Sequence, residues 1–347
     1  MLNMSQPKIY IQAAEQVSIQ QPLSQQWMSE PVRTDELLAT AIAPNYRDFI
    51  DPREARRMGG LIKRALVTTL KVLRDTGIDH PDAFITGTSI GSLDYTERFL
   101  DALDESEEAL SPTYFMQSPH NTVGSALAIH THSHGYNTTY SHGACSFDWA
   151  VMDAWMQMRL GKISTALVGG YDEMTQNYFE LLQKTGYVGQ PGMAPCAEMS
   201  MSMMLNTQCH DNCLCELSGV AMGNLAYRER MRQQLAQMLD AAHLTADEVS
   251  AVMTGKNGNP DNDACYTDIV DDLLPGAPLL HYKHLFGENY TASAMGVYAA
   301  AHCLAQGMVP DCLHDESRPA RCFKPCAILL VNQMDQQEYS LILLTKI

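Results

Sequence analysis

Apolar residues recur along the chain with two periods, and the two alternate. In KIYIQAAEQVSI, Ile9, Ile11, Val17 and Ile19 predict an opening strand. A helix is predicted over Pro52–Arg74, with Asp51 as N-cap, Pro52 at the first helical position and Gly77 past the end. Met58, Leu61, Ile62, Ala65, Val72 and Leu73 share its apolar face, with Leu66 at the edge and Thr69 as the one polar member. A short buried strand follows at 83–86 and ends in the turn GTSIG. Helices are predicted at 121–130 and 147–160, the latter closed by Gly161, and strands at 137–143 and 166–170. Segments 198–205 and 213–222 read as a hairpin, and 226–240 as a helix.

The pattern then restarts. LTADEVSAVMTG repeats the logic of IDHPDAFITG, a helix end leading into a buried strand and a glycine turn. A helix at 292–304 and strands at 327–331 and 340–344 complete the chain. Short buried strands alternating with helices predict an α/β fold with a largely parallel sheet and heavy helical cover. The echo suggests an internal duplication, divided as 1–218 and 219–347.

Composition narrows the function. The 347 residues carry 23 Lys+Arg against 40 Asp+Glu, a formal charge of −17, which argues against nucleic acid or an anionic membrane as partner. The 46% hydrophobic content suits a large core. No apolar run is long enough to span a membrane. MLNMSQPKIYIQ lacks the basic-then-apolar order of a secretory signal. The ten cysteines do not form a disulfide framework, so reduced thiols in a cytoplasmic setting are expected. GTSIG and ALVGG are too short and wrongly spaced for a dinucleotide fingerprint, so no cofactor is expected.

Cys145 follows a predicted strand and opens a predicted helix, where the helix dipole favours a thiolate. The order around it is specific: Asn121 before a small-residue helix, Gly135 before a strand, Cys145 at the elbow, a long helix containing Ala154 and ending at Gly161, then Val168–Gly169–Gly170 and Asp172–Glu173. This segment resembles the β-ketoacyl synthases, the condensing enzymes of fatty acid and polyketide synthesis, and the resemblance extends more faintly from Lys8 to Leu344. It implies the thiolase fold: two similar α/β halves in five layers, with the strand before the cysteine pairing across a dimer axis. It also implies an acyl carrier protein as partner and Cys145 as acyl-accepting nucleophile, aided by two histidines.

Both histidines are replaced. Where the family has H-G-T-x-T-P, this chain reads Gly255–Lys256–Asn257–Gly258–Asn259–Pro260. Asp263 keeps the acidic residue after that motif, but Tyr266 replaces the glutamate expected three residues later. The K-x-x-x-G-H motif reads Lys283 to Gly287 and then Glu288, and a Lys283–Glu288 ion pair would silence both groups. Val331–Asn332 is followed by QMDQQEY, without the expected glycine loop. As a carboxylate, Glu288 would repel the enolate that a histidine stabilises. The pattern resembles a chain-length-factor subunit, the degenerate partner of an active ketosynthase, as in aryl-polyene and flexirubin-type pathways. Such partners typically lack the cysteine, so acyl transfer by Cys145 stays open as an alternative. Loops at 186–198 and 305–327 are shorter than typical for the family.

Several clusters have plainer readings. HTHSH (His130, His132, His134) and the CHDNCLC run (Cys209, His210, Cys213, Cys215) carry metal-ligand residue types; a solvated turn and a continuing strand are the preferred readings, with a zinc-binding structural protein as remote alternative. His142, three residues before Cys145, would face away from it on a strand, in core or interface packing. Asp148 suits the positive helix end and disfavours a thiolate at Cys145. The acidic run 101–110 reads as a solvated face. Arg53, Arg56, Arg57, Lys63 and Arg64 form one basic face, a solubilising surface or a dock for a carrier or partner. A ketosynthase subunit or a second copy is the expected dimer partner, paired through 137–143.

Overall fold

The computed structural model describes residues 7–318 and 324–347. The first stretch of chain holds β1 (Tyr10–Val17), β2 (Leu38–Ala39), α1 (Pro52–Ala55), α2 (Gly60–Thr76), β3 (Ala83–Gly87), α3 (Leu93–Glu105), α4 (Pro112–Gln117), α5 (Thr122–His130) and β4 (Tyr136–Tyr140). It continues through α6 (Ser146–Arg159), β5 (Thr165–Asp172), α7 (Gln176–Lys184), β6 (Cys196–Ala197) and β7 (Met199–Asn206). The second stretch holds β8 (Cys215–Asn224), α8 (Arg228–Ala241), β9 (Ala251–Thr254), α9 (Pro260–Leu273), β10 (Leu279–His281), α10 (Lys283–Phe286), α11 (Ser293–Gln306), β11 (Ala327–Met334) and β12 (Glu338–Thr345).

Among the described residues ten strands align in the order β10-β9-β11-β12-β8-β1-β7-β5-β3-β4. The order contains the same five-strand design twice. In one set β4, β3 and β5 are parallel, and β7 and β1 each reverse direction. In the other, β10, β9 and β11 are parallel, and β12 and β8 reverse in the same way. The two sets meet where Tyr10 and Ile11 of β1 face Glu216 and Cys215 of β8. Strand order divides the chain in the connection 207–214, just ahead of the 218/219 division expected from sequence, which falls inside β8.

Alternate side chains build the layers, because successive strand residues point to opposite faces. Phe84 and Leu167 pack outward with Leu61, Ala65 and Leu66 of α2. Their neighbours Ile85 and Val168 turn inward to Phe147, Ala150 and Ala154 of α6. In the second set Val252 and Leu329 pack outward with Leu235 of α8 and Ile269 of α9. Met253 and Leu330 turn inward to α11. Helices α6 and α11 thus lie between the two sets, giving the five layers of the thiolase fold.

Three details depart from the sequence reading. The helix expected over Pro52–Arg74 is two helices. Asp51 caps the first, accepting the Arg53 N–H at 2.7 Å, but the chain breaks at 56–59 and Met58 leaves the helical face. Gly59 caps α2 with extended backbone and lies so close to the Tyr95 ring that an added Cβ would stand 2.6 Å from it. The segments 198–205 and 213–222 do not form a hairpin, because β1 inserts between β7 and β8 and pairs antiparallel with both. Their connection is long enough to step over one strand, and alternation alone does not name a strand's partner. Finally, Arg64 leaves the basic face: it is buried, 2.6 Å from Glu198 and 3.7 Å from Glu173. Lys63 rests over the Tyr46 ring. Of the expected short loops, 305–327 falls partly outside the described residues. No helix among the described residues is long and apolar enough to cross a membrane.

Candidate functional site

The elbow between β4 and α6 presents Cys145 as the N-cap of α6. Its N–H donates to the His142 carbonyl at 3.0 Å, and its own carbonyl accepts the Trp149 N–H at 3.0 Å. The residue is fully buried. Burial pushes the thiol well above its ordinary range, and the charges of Asp148, Glu338 and Asp335 push it the same way. At neutral pH it is a thiol, the weakly nucleophilic form. The favourable helix end is outweighed by desolvation and by carboxylates.

Asp148 does more than complement the helix end. Its carboxylate is buried and accepts from Ser293 (2.8 Å), Ser340 (2.7 Å) and the Asn332 amide (3.0 Å), tying α6 to α11, β12 and β11. Burial raises its pKa, opposed by those donors. Asn332 also donates to the Ala144 carbonyl at 2.8 Å, one residue before Cys145. His142 lies beyond the end of β4, so the strand argument does not place it. It is exposed, 2.8 Å from Glu338, with its ring against Trp149.

The two histidine positions are filled in different ways. Gly255, at the end of β9, leaves a hole, and Tyr266 of α9 fills it. A Cβ on Gly255 would fall on the Tyr266 hydroxyl and 3.2 Å from Lys283 Cε. The Tyr266 hydroxyl donates to Asn332 Oδ1 at 2.9 Å. Glu288 takes the other position. Both its oxygens accept from Lys283 Nζ at 2.8 Å, and Asn257 Nδ2 donates to Oε2 at 2.7 Å. The expected ion pair is present and nearly buried. Asp263 accepts the N–H groups of Asn257 (2.9 Å) and Gly258 (3.1 Å), holding the altered motif in shape. The polar chain continues from Asn257 to Asn262 to Gln333. The side chains of Asn257, Asn262, Tyr266, Lys283 and Gln333 each already donate within the network, and Glu288 is matched by Lys283. The arrangement is spent on internal bonds rather than held open for a developing negative charge.

A cleft of about 170 Å³ opens beside this network, lined by Gly143, Ala144, Lys283, Glu288, Tyr290 and Gln333 among others. Cys145 is not among its lining residues. The structure therefore gathers the four residues singled out from sequence, Cys145, Gly255, Lys283 and Glu288, around one centre. Lys283 and Glu288 border the cleft, and Cys145 and Gly255 do not. Sequence reasoning missed that Tyr266 and Gly255 compensate one another. The signal was present as two departures from one motif, a large side chain lost and a large one gained.

Among the described residues no three His, Cys, Asp or Glu side chains gather as a metal site. His132 and His134 are exposed on the turn after α5. In the cysteine-rich turn the His210 N–H donates to Cys213 Sγ at 3.3 Å. Neither zinc alternative gains support.

Residues 24–259 match the family model described as β-ketoacyl synthase, N-terminal domain. Among curated proteins none matches by sequence. The fold is shared with the ishigamide ketosynthase/chain length factor, at TM-score 0.85 and 14% identity over 99% of this chain and 100% of that one. It is shared with a ketosynthase in complex with its chain length factor from Xenorhabdus doucetiae, at TM-score 0.79 and 15% identity over 100% of both chains. A type II polyketide acyl-carrier protein in complex with its ketosynthase bound to the hexaketide also matches, at TM-score 0.77 and 12% identity over 99% of this chain and 100% of that one.

Proposed function

The chain belongs to the β-ketoacyl synthase family, and on that premise we propose that it is a noncatalytic partner subunit of the chain-length-factor kind. It pairs with an active ketosynthase and helps shape the space in which a carrier-bound acyl chain grows. The observation that carries this reading is the Lys283–Glu288–Asn257 cluster at the second histidine position. Decarboxylative condensation needs donors directed at an enolate oxygen. Here a carboxylate stands in that place with its partners already satisfied. The buried, protonated Cys145 supports the same conclusion and weighs against acyl transfer by this chain.

The ketosynthase is placed on the β4 edge. β4 ends the sheet and pairs only with β3 among the described residues. An unpaired edge is a ready template for a second strand. Apolar side chains left exposed cluster in the segment leading into it: Phe115 (62%), Met116 (71%) and Ile129 (74%). The acyl carrier protein is placed on Arg53, Arg56 and Arg57, which are exposed and form no ion pair among the described residues.

The test is condensation with malonyl-carrier and acyl-carrier substrates. The isolated protein is expected to give none. A ketosynthase partner is expected to form a stable complex with it and to release products of a different length than that ketosynthase gives alone. Turnover by the isolated chain, lost in Cys145→Ala, would overturn the proposal.

A further inference from the structure

We infer that Tyr266 is the residue that closes this site, standing as a plug between the cleft and Cys145. The inference deepens the noncatalytic reading and rests on it.

The ring is fully buried, although the cleft lies beside it. On the cleft side its neighbours are cleft-lining residues. Gln333 gives its backbone N–H to the Tyr266 hydroxyl at 3.3 Å. Asn262, one turn earlier on α9, borders the same opening, as does Lys283, which with Tyr266 bounds the empty side of Gly255. The same hydroxyl donates to Asn332, which in turn holds the carbonyl of Ala144, the cleft-lining residue next to Cys145. A tyrosine serves this place well. Its ring fills volume that an apolar cleft would otherwise extend into, and its hydroxyl satisfies an amide that would be costly to strand. Glycine at 255 is the counterpart, since any side chain there would collide with the hydroxyl. The two positions have traded volume, and the trade shuts the thiol away from the opening.

The experiment reads thiol alkylation by iodoacetamide, mapped peptide by peptide, on the full chain. Cys215 and Cys303 are fully buried elsewhere and report general loosening of the fold. In the native sequence Cys145 is expected to react no faster than these two. Tyr266→Ala is expected to raise the Cys145 rate at least tenfold while Cys215 and Cys303 stay protected. Tyr266→Phe keeps the ring and is expected to stay near the native rate. Should Tyr266→Ala fail to fold, Tyr266→Val is read the same way. If Tyr266→Ala leaves Cys145 at the control rate, or raises all three thiols together, the plug is rejected and the noncatalytic reading stands. If native Cys145 already reacts fast while the controls do not, the closed-site reading falls along with the plug.

Discussion

The two halves of the molecule repeat one design and have ended in opposite states. The first half keeps its openings. Its edge strand β4 is bare on the outer side among the described residues, and large apolar side chains stand exposed in the segment leading to it. The second half has closed its own. The equivalent edge strand β10 is covered by the segment 314–318: Leu280 bridges His314, the Asp315 N–H donates to the Leu279 carbonyl (3.0 Å), and the Leu279 N–H donates to Arg318 (3.1 Å). Its motif positions are likewise filled, Gly255 by Tyr266 and the second histidine place by the Lys283–Glu288 pair. An open edge can receive a partner strand and a covered one cannot, so the proposed reading puts assembly in the first half and the altered motif positions in the second.

The largest effect that would test this contrast lies in the closed half. Glu288→Ala leaves Lys283 as a nearly buried ammonium without its carboxylate. Breaking such a pair costs about 3–5 kcal/mol, so the midpoint of chemical denaturation is expected to fall sharply. The double change Lys283→Met with Glu288→Leu removes both charges and is expected to recover most of that loss. Recovery would mark the pair as filler for an abandoned site. A single variant as stable as the native protein would show that the second half is not sealed at this point.

The next test lies in the open half. Thr139→Pro removes an N–H that points away from β3, because the Tyr136 N–H and the Tyr140 carbonyl face β3 and successive strand residues alternate. Losing a ladder bond in an intersubunit sheet would cost about 1–3 kcal/mol, roughly tenfold to a hundredfold in Kd. Sedimentation of the native and variant proteins, alone and with a ketosynthase, measures it. Folding of the single chain is expected to suffer less than assembly, because an edge strand tolerates proline better than a central one. Assembly that survives unchanged would move the partner surface off β4.

What sequence reading could and could not reach follows the range of the interactions. Caps and breaks are local: Asp51, Pro52, Gly77 and Gly161 marked their helix ends correctly because each acts within a turn. The ion pair of Lys283 and Glu288 was visible because five residues on a turn and short helix bring the two together. The fate of Arg64 was not, since its carboxylate partners lie at 173 and 198, on other elements. The place of β1 between β7 and β8 was equally hidden. In the sequence Tyr266 reads only as a missing glutamate. That it fills the hole at Gly255 depends on α9 folding back over the end of β9, which no spacing rule encodes.

The smallest effect concerns pH, where the halves should respond with opposite sign. In the first half, Asp172 ends β5 fully buried, accepting from the Thr88 hydroxyl (2.7 Å) and the N–H groups of Ser89 (3.0 Å) and Ile90 (3.1 Å). Burial outweighs these donors and lifts its pKa from 3.8 to about 6. A carboxyl raised in the native state holds its proton more firmly there than when unfolded. Its contribution to stability is complete below the unfolded value and is lost as pH rises through 6. In the second half, Asp315 sits on the segment covering β10. Burial pushes it up, but the Ser317 hydroxyl and the Lys256 ammonium at 2.9 Å prevail and hold it at about 2. Its contribution is complete above 3.8 and is lost as pH falls toward 2. Acidification from pH 7 to pH 5 is therefore expected to strengthen the Asp172 region by about 1 kcal/mol and to leave the Asp315 contact intact. Asp172→Asn should remove that gain from the denaturation profile, while Asp315→Asn should change the profile only below about pH 4. A native profile that falls from pH 7 to pH 5 by the same amount in both variants would mean that neither carboxylate sets the response of its half.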